Sequence, residues 1–230
     1  MNFEFSQEQL MLKDMVRKAL DDNCTTVEVR QVLEGDISHD ENLWKMLCEL
    51  GLQGTAVADT YGGAGAGYLE LCMVAEELGR ALAPVPFFSS VFLAIEAIKL
   101  AGSGQQQAQF LADLADGSKI GTLGAWENNG PLHAANVNMS YVDGRITGKK
   151  ILVPDGDIAD SIVLIAKEGE VFSLFYVDLS QAGVTRTTMD TIDPSRNFSS
   201  VEFSNVVAER LGDAGEGWAL LDKVMDRAAV

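Results

Sequence analysis

Apolar side chains recur every three or four residues over positions 1–117, the spacing of one helix face. Leu12, Met15, Val16 and Leu20 follow Ser6 and Gln9, which are spaced as a capping box. Ser38 and Glu41 repeat that spacing before Leu43, Trp44, Leu47 and Leu50, and Gly51 offers a left-handed stop. A third helix is predicted over 69–82, with Leu71, Val74, Ala75 and Leu78 inward and Pro84 and Pro86 beyond its end. A fourth lies between Ser90 and Ala101. Ser103 and Gln106 cap a fifth, which presents Phe110, Leu111 and Leu114.

The pattern changes after Gly117. "IGTLGAW", "VNMSYV", "RITGKKILV", "SIVLIA", "VFSLFYV" and "SSVEFSNVV" are short, alternating or β-branched, and separated by turn residues. Asp143-Gly144 suits a two-residue hairpin, and "KEGEV" signals a second. Strands at this spacing predict a compact barrel or sandwich. Helical spacing returns at Gly217, with Trp218, Leu221, Met225 and Ala228 on one face. The fold class expected is α+β. It divides into a helical N-terminal domain over 1–117, a β-barrel middle domain over 118–212, and a helix within 213–230 that opens another helical unit.

Composition narrows the functional classes. The 230 residues carry a net charge of −17 with no Lys/Arg cluster, which argues against nucleic acid as a partner. The N-terminus lacks an apolar signal segment. The longest apolar run is broken by Glu96 and Lys99, so membrane insertion is not expected. Cys24, Cys48 and Cys72 are far apart, form no CxxC pair and read as buried reduced thiols, which fits a cytoplasmic setting. His39 and His133 lack partners at metal-ligand spacing, so no metal is expected, and surface or capping roles suit them. Gly62, Gly63, Gly65 and Gly67 look like a phosphate loop, but no Gly-Lys-Ser/Thr follows; a turn before a helix is the better reading. Glu76 and Glu77 are adjacent on a helix, about 100° apart, and do not make a two-carboxylate site.

Three stretches together carry a resemblance. They are "YGGAGAGYLELCMVAEELGRALA", "GKKILVPDGDIADSIVLIA" and "VEFSNVVAERLGDAGEGW". In order and register they resemble the acyl-CoA dehydrogenase family, which has a helical N-terminal, a β middle and a four-helix C-terminal domain. The resemblance implies that the helix from Gly217 is the first of the third domain. It also implies that the apolar face of this helix is left open for further C-terminal helices.

The family oxidises an acyl-CoA to the 2,3-enoyl thioester, passing a hydride to FAD, and hands electrons to an electron-accepting flavoprotein, usually as a homo- or hetero-oligomer. Its catalytic glutamate lies in the C-terminal domain, so the resemblance assigns no catalytic residue to this chain. It assigns Leu123, Ala125, Trp126, Glu127, Leu152, Val153 and Pro154 to the flavin. Leu132 and Asp226 fall at acyl-CoA positions. The motifs are altered in side chain. Trp126 stands where the family has a flavin-contacting Thr, and Leu132 replaces a Ser. Leu152 and Pro154 replace a shielding Trp and a hydroxyl residue, and Ala229 replaces an Arg. Trp126 also reads as a strand-end core aromatic, Glu127 as a solvated turn residue, Leu152–Pro154 as an ordinary strand end, and Asp226 as a solvated helix residue. A flavoenzyme, a non-catalytic subunit paired with an active chain, and an acyl-CoA-binding module are the functions these residues allow.

Overall fold

The computed structural model describes residues 4–35 and 37–229. Its helices are α1 (Gln7–Asn23), α2 (Thr26–Leu33), α3 (Glu41–Glu49), α4 (Tyr68–Ala81), a π-helical run Phe88–Ile95 leading into α5 (Glu96–Ala101), α6 (Gly104–Ala115) and α7 (Gly217–Ala228). The boxes at Ser6 and Ser103 form as expected: each hydroxyl accepts the N–H three residues on, and each Gln side chain accepts the Ser N–H. The cap of α3 is Asp40 rather than Ser38. Its carboxylate accepts the Leu43 N–H at 2.9 Å, while its own N–H is held by the Pro84 carbonyl. Asp and Ser are about equally good caps, so the residue adjoining the first helical position decides which one serves. Helix α2 was not foreseen, although Thr25 and Glu28 form its capping box.

Glu77 joins α4 to α1. It is fully buried, 2.7 Å from Arg17 and 2.8 Å from Arg80, whereas Glu76 points outward to Lys13. The Arg17 hydrogen bond, then that of Arg80, holds the Glu77 carboxyl down to about 2 from its ordinary 4.5 against the opposing effect of burial. A depressed carboxyl stabilises the fold above its unfolded pKa and loses that contribution as pH falls toward its folded value. Acid unfolding between pH 4.5 and 2 should therefore be shallower in Glu77→Gln than in the unaltered chain. Identical pH slopes would show that another group drives the loss.

The strands are β1 (Gly121–Gly124), β2 (Ser140–Val142), β3 (Arg145–Pro154), β4 (Ser161–Glu168), β5 (Val171–Asp178), β6 (Val184–Met189), β7 (Phe198–Val207) and β8 (Glu209–Leu211). The hairpin at Asp143-Gly144 forms, with both residues at positive φ. The second turns at Gly169, also at positive φ. The eight strands form one mixed sheet in the order β6-β7-β3-β2-β4-β5-β8, with β1 parallel to β4. The barrel expectation is corrected here: the sheet is not closed. Closure needs a ladder between the first and last strands. Here β6 pairs with β7, and the three-residue β8 pairs with β5.

Alternation along β4 sends side chains to two cores. Val163 and Ile165 join Leu123, Leu174 and Leu211 in a core shared with the helices. Ile162 and Leu164 join Ile146, Val153, Phe175 and Phe203 in a core within the sheet region. Helix α7 returns to the first core. Leu221 and Val224 are buried, and Trp218, Met225 and Ala228 pack against it. The apolar face expected to be left open is thus largely covered by this chain's own helices and β5.

Candidate functional site

The two stretches assigned to the flavin are distant in sequence and adjacent in space. β3 carries an extra residue: Lys150 pairs with Val201 but Val153 with Ser199, so three steps on one strand face two on the other. The bulge is absorbed at Leu152, whose φ is +51°, a left-handed backbone that a branched side chain rarely adopts. Such conformations cost roughly 1–3 kcal/mol and persist where surrounding contacts hold them. The holding contacts flank the bulge. Ile151 donates its N–H to the Trp126 carbonyl at 2.8 Å. Thr122 on β1 donates its hydroxyl to the Pro154 carbonyl at 2.5 Å. No side chain fits at Gly124 without displacement: a Cβ there would lie 3.1 Å from Lys150 Cγ and 2.9 Å from Ile162 Cδ1.

Beneath this edge lies an ion pair. Lys150 Nζ is 2.7 Å from Glu127 Oε1, with side-chain exposures of 0% and 8%. Burial pushes the Lys150 amine down to about 8, against the pull of Glu127. Glu127 also accepts the N–H groups of Asn138 and Met139 at 2.6 and 3.0 Å. The carboxylate expected either at the flavin or in solvent is therefore a buried clamp between three chain segments. Lys150 was missed in the sequence. The signal was present: two-residue alternation from the inward Ile146 brings position 150 to the same face, and an inward Lys needs a carboxylate.

The remaining assigned residues are placed as follows. Leu123, Ala125 and Val153 are buried in the cores. Trp126 and Leu132 are half-buried and pack on the core shared with the helices. Asp226 is exposed on α7 and enters no ion pair among the described residues. Its neighbour Arg227, the cation nearest the family's Arg position, is bound instead to Glu96 and to the Tyr68 hydroxyl at 2.7 Å. Lys99 completes that cluster, 3.1 Å from Glu96. Leu123–Glu127 and Leu152–Pro154 are thus brought together, while the acyl-CoA positions remain separate features.

Asp155, next after Pro154, is half-buried, and its carboxylate accepts the Ser89 hydroxyl at 2.6 Å. Burial pushes it up to about 6 from 3.8; Ser89 and Arg196 oppose the rise. A raised carboxyl contributes stability below its unfolded pKa, and that contribution is lost as pH rises through the folded value. The Asp155→Asn variant should match the parent near pH 4 and exceed it at pH 7.5, by at most about 3 kcal/mol. Thermal melts at the two pH values check this; equal differences at both would remove Asp155 as the titrating group.

The other chemical candidates resolve as structure. His133 Nδ1 accepts the Ala135 N–H, as a cap. The Gly62–Gly67 segment is a turn before α4. The three cysteines are free and half-buried rather than fully buried. Among the described residues no cluster of three His, Cys, Asp or Glu is placed to hold a metal. Among the described residues no helix is long and apolar enough to cross a membrane.

Against known proteins, residues 6–118 match the family model described as acyl-CoA dehydrogenase, N-terminal domain. Acyl-CoA dehydrogenase FadE27 of Mycobacterium tuberculosis is 30% identical over 193 residues, 83% of this chain and 51% of the relative. The chain belongs to the acyl-CoA dehydrogenase family. It spans about half the length of the first curated relatives of that family that it matches. Among solved structures, the Tcur3481-Tcur3483 steroid ACAD variant superposes with a TM-score of 0.84 at 29% identity, over 96% of this chain and 60% of that one. The ChsE4-ChsE5 complex from Mycobacterium tuberculosis gives 0.83 at 25% identity, over 97% and 61%.

Proposed function

We propose that the chain is an acyl-CoA dehydrogenase-like subunit. In the assembled protein it forms one wall of a site for α,β-dehydrogenation of an acyl-CoA thioester. On this reading 1–117, 118–212 and 213–230 are the helical, β and incipient C-terminal domains of a cytoplasmic protein. FAD, as hydride acceptor, would lie against Leu123, Ala125, Trp126, Glu127, Leu152, Val153 and Pro154. Leu132 and Asp226 would stand on the acyl-CoA side, and an electron-accepting flavoprotein would reoxidise the flavin. The observation carrying this reading is the Ile151–Trp126 hydrogen bond, which joins the two assigned stretches into one edge.

The side chains of that edge fit a flavin poorly. Trp126, Leu152 and Pro154 offer no hydroxyl, and Glu127 is engaged by Lys150 and two backbone N–H groups. What this chain supplies is apolar surface and backbone, and no proton transfer is assigned to any of its residues. With purified chain, an acyl-CoA and an artificial electron acceptor, no turnover is expected. General-base catalysis alone is worth ~10²–10⁴-fold. Steady turnover would overturn this reading and require a base within residues 1–230.

A second reading is a non-catalytic subunit that pairs with an active chain. It is favoured by the commitment of both Glu127 and Arg227 to structural ion pairs, and by the two-component names of the steroid ACAD and ChsE4-ChsE5 structures. Co-expression with a complete family member should then give a stable mixed complex on size exclusion. Separate elution of the two chains would remove this reading.

A further inference from the structure

The C-terminal half of α4 and the π-helical run face each other across a cleft of about 230 Å³. Its lining is apolar, with Leu78, Val85, Phe88 and Phe92 prominent, and Gly79 also borders it. One cation reaches it: the exposed Arg196, whose guanidinium carbon lies 5.1 Å from the centre of the Phe88 ring. In a chain of net charge −17, Arg196 enters no ion pair among the described residues. Its acidic neighbours Asp193 and Asp155 feel its charge but accept their hydrogen bonds from other groups. Asp193, on the same loop, accepts hydrogen bonds from the Ser195 N–H and hydroxyl. Asp155, which borders the adjoining crevice with Arg196 and His39, accepts the Ser89 hydroxyl.

A cation on an aromatic face beside an apolar cleft is a recognition pattern: the ring walls take a hydrocarbon, and the guanidinium takes an anion by charge-assisted hydrogen bonds. We infer that this cleft binds a small amphipathic anion, its apolar tail between Leu78, Phe88 and Phe92 and its acidic head on Arg196. The site includes neither Trp126 nor Leu152 and rests on neither flavin nor thioester chemistry, so its test is independent of the proposed function.

Hexanesulfonate is a suitable probe because it stays charged at all working pH values. Hexanol and hexylammonium are its neutral and cationic counterparts. Titration into the whole chain, followed by calorimetry and by two-dimensional NMR, should give one saturable site for hexanesulfonate. Shifts should centre on residues 78–92 and 195–196, and the two counterparts should bind at least about tenfold more weakly. Arg196→Gln should bring hexanesulfonate down to the level of hexanol. Gly79→Leu supplies a second arm that preserves folding. A Cβ at Gly79 meets nothing within 4 Å, and Leu favours the helix over Gly by up to about 1 kcal/mol, yet its side chain fills the cleft. This variant should abolish binding with no loss of thermal stability. Equal binding of all three probes, an unchanged affinity in Arg196→Gln, undiminished binding in Gly79→Leu, or no saturable binding at all would each overturn the inference.

Discussion

Replacing Glu127 with Gln is expected to lower the unfolding free energy by about 3–5 kcal/mol, the range for breaking a buried ion pair by removing one partner. The amide still accepts the Asn138 and Met139 N–H groups, so the variant isolates the charge. What remains is a Lys150 side chain of 0% exposure with no carboxylate beside it. Lys150→Met should be less harmful when combined with Glu127→Gln than alone, because the single change leaves the opposite charge buried. The double variant should recover most of the stability, since an apolar group of similar volume replaces a desolvated ion. Burial already pushes Lys150 down to about 8. The Glu127→Gln penalty should therefore shrink at alkaline pH, where an unpaired buried lysine sheds its proton. Urea unfolding at pH 7 and 9 measures all of this, as midpoints at constant slope. Additive single effects would show that the two residues do not act as a pair.

The second large effect concerns FAD. Relative to the pattern implied by the family resemblance, the chain lacks a hydroxyl at Trp126 and another at Pro154. Leu152 gives no aromatic stacking surface. Each missing hydrogen bond forfeits about 0.5–1.5 kcal/mol, and stacking a similar amount. Together these weaken binding by roughly 10- to 1000-fold at 1.4 kcal/mol per decade. Trp126 is half-buried against the core shared with the helices, Glu127 is committed to Lys150, and the Pro154 carbonyl already accepts the Thr122 hydroxyl. The chain should therefore purify largely without flavin.

Much of the fold was legible because it rests on local chemistry. The Ser6 and Ser103 caps, the Asp143-Gly144 hairpin and the inward faces of α4 and α6 depend on residues a few positions apart. Features that depend on distant partners were not legible. Strand β6, with its polar Thr-Arg-Thr-Thr run, is a strand because β7 pairs with it, and little apolar periodicity marks it. The open sheet likewise turns on which strands meet at the ends. At the candidate site, the two stretches are assigned by the resemblance alone, and the structure sets them side by side. The bulge at Leu152 could not be read in advance, because it arises from a shift in the pairing register between β3 and β7. The fate of Glu127 was decided by Lys150, 23 residues away in sequence. The Asp155 carboxylate gains its partner only through the distant Ser89, 66 residues away in sequence.

We propose that this chain contributes a flavin-facing edge whose side chains grip the cofactor weakly. Titration of the purified chain with FAD, following tryptophan fluorescence with Trp126 as the reporter at that edge, tests it most directly. The expected result is a weak or absent quench, with no stoichiometric endpoint in the sub-micromolar range, and with the same behaviour in Trp126→Phe apart from the lost signal. A stoichiometric, sub-micromolar quench that disappears in Trp126→Phe would contradict the claim, showing that backbone and apolar contacts along β1 and β3 hold FAD without those side chains.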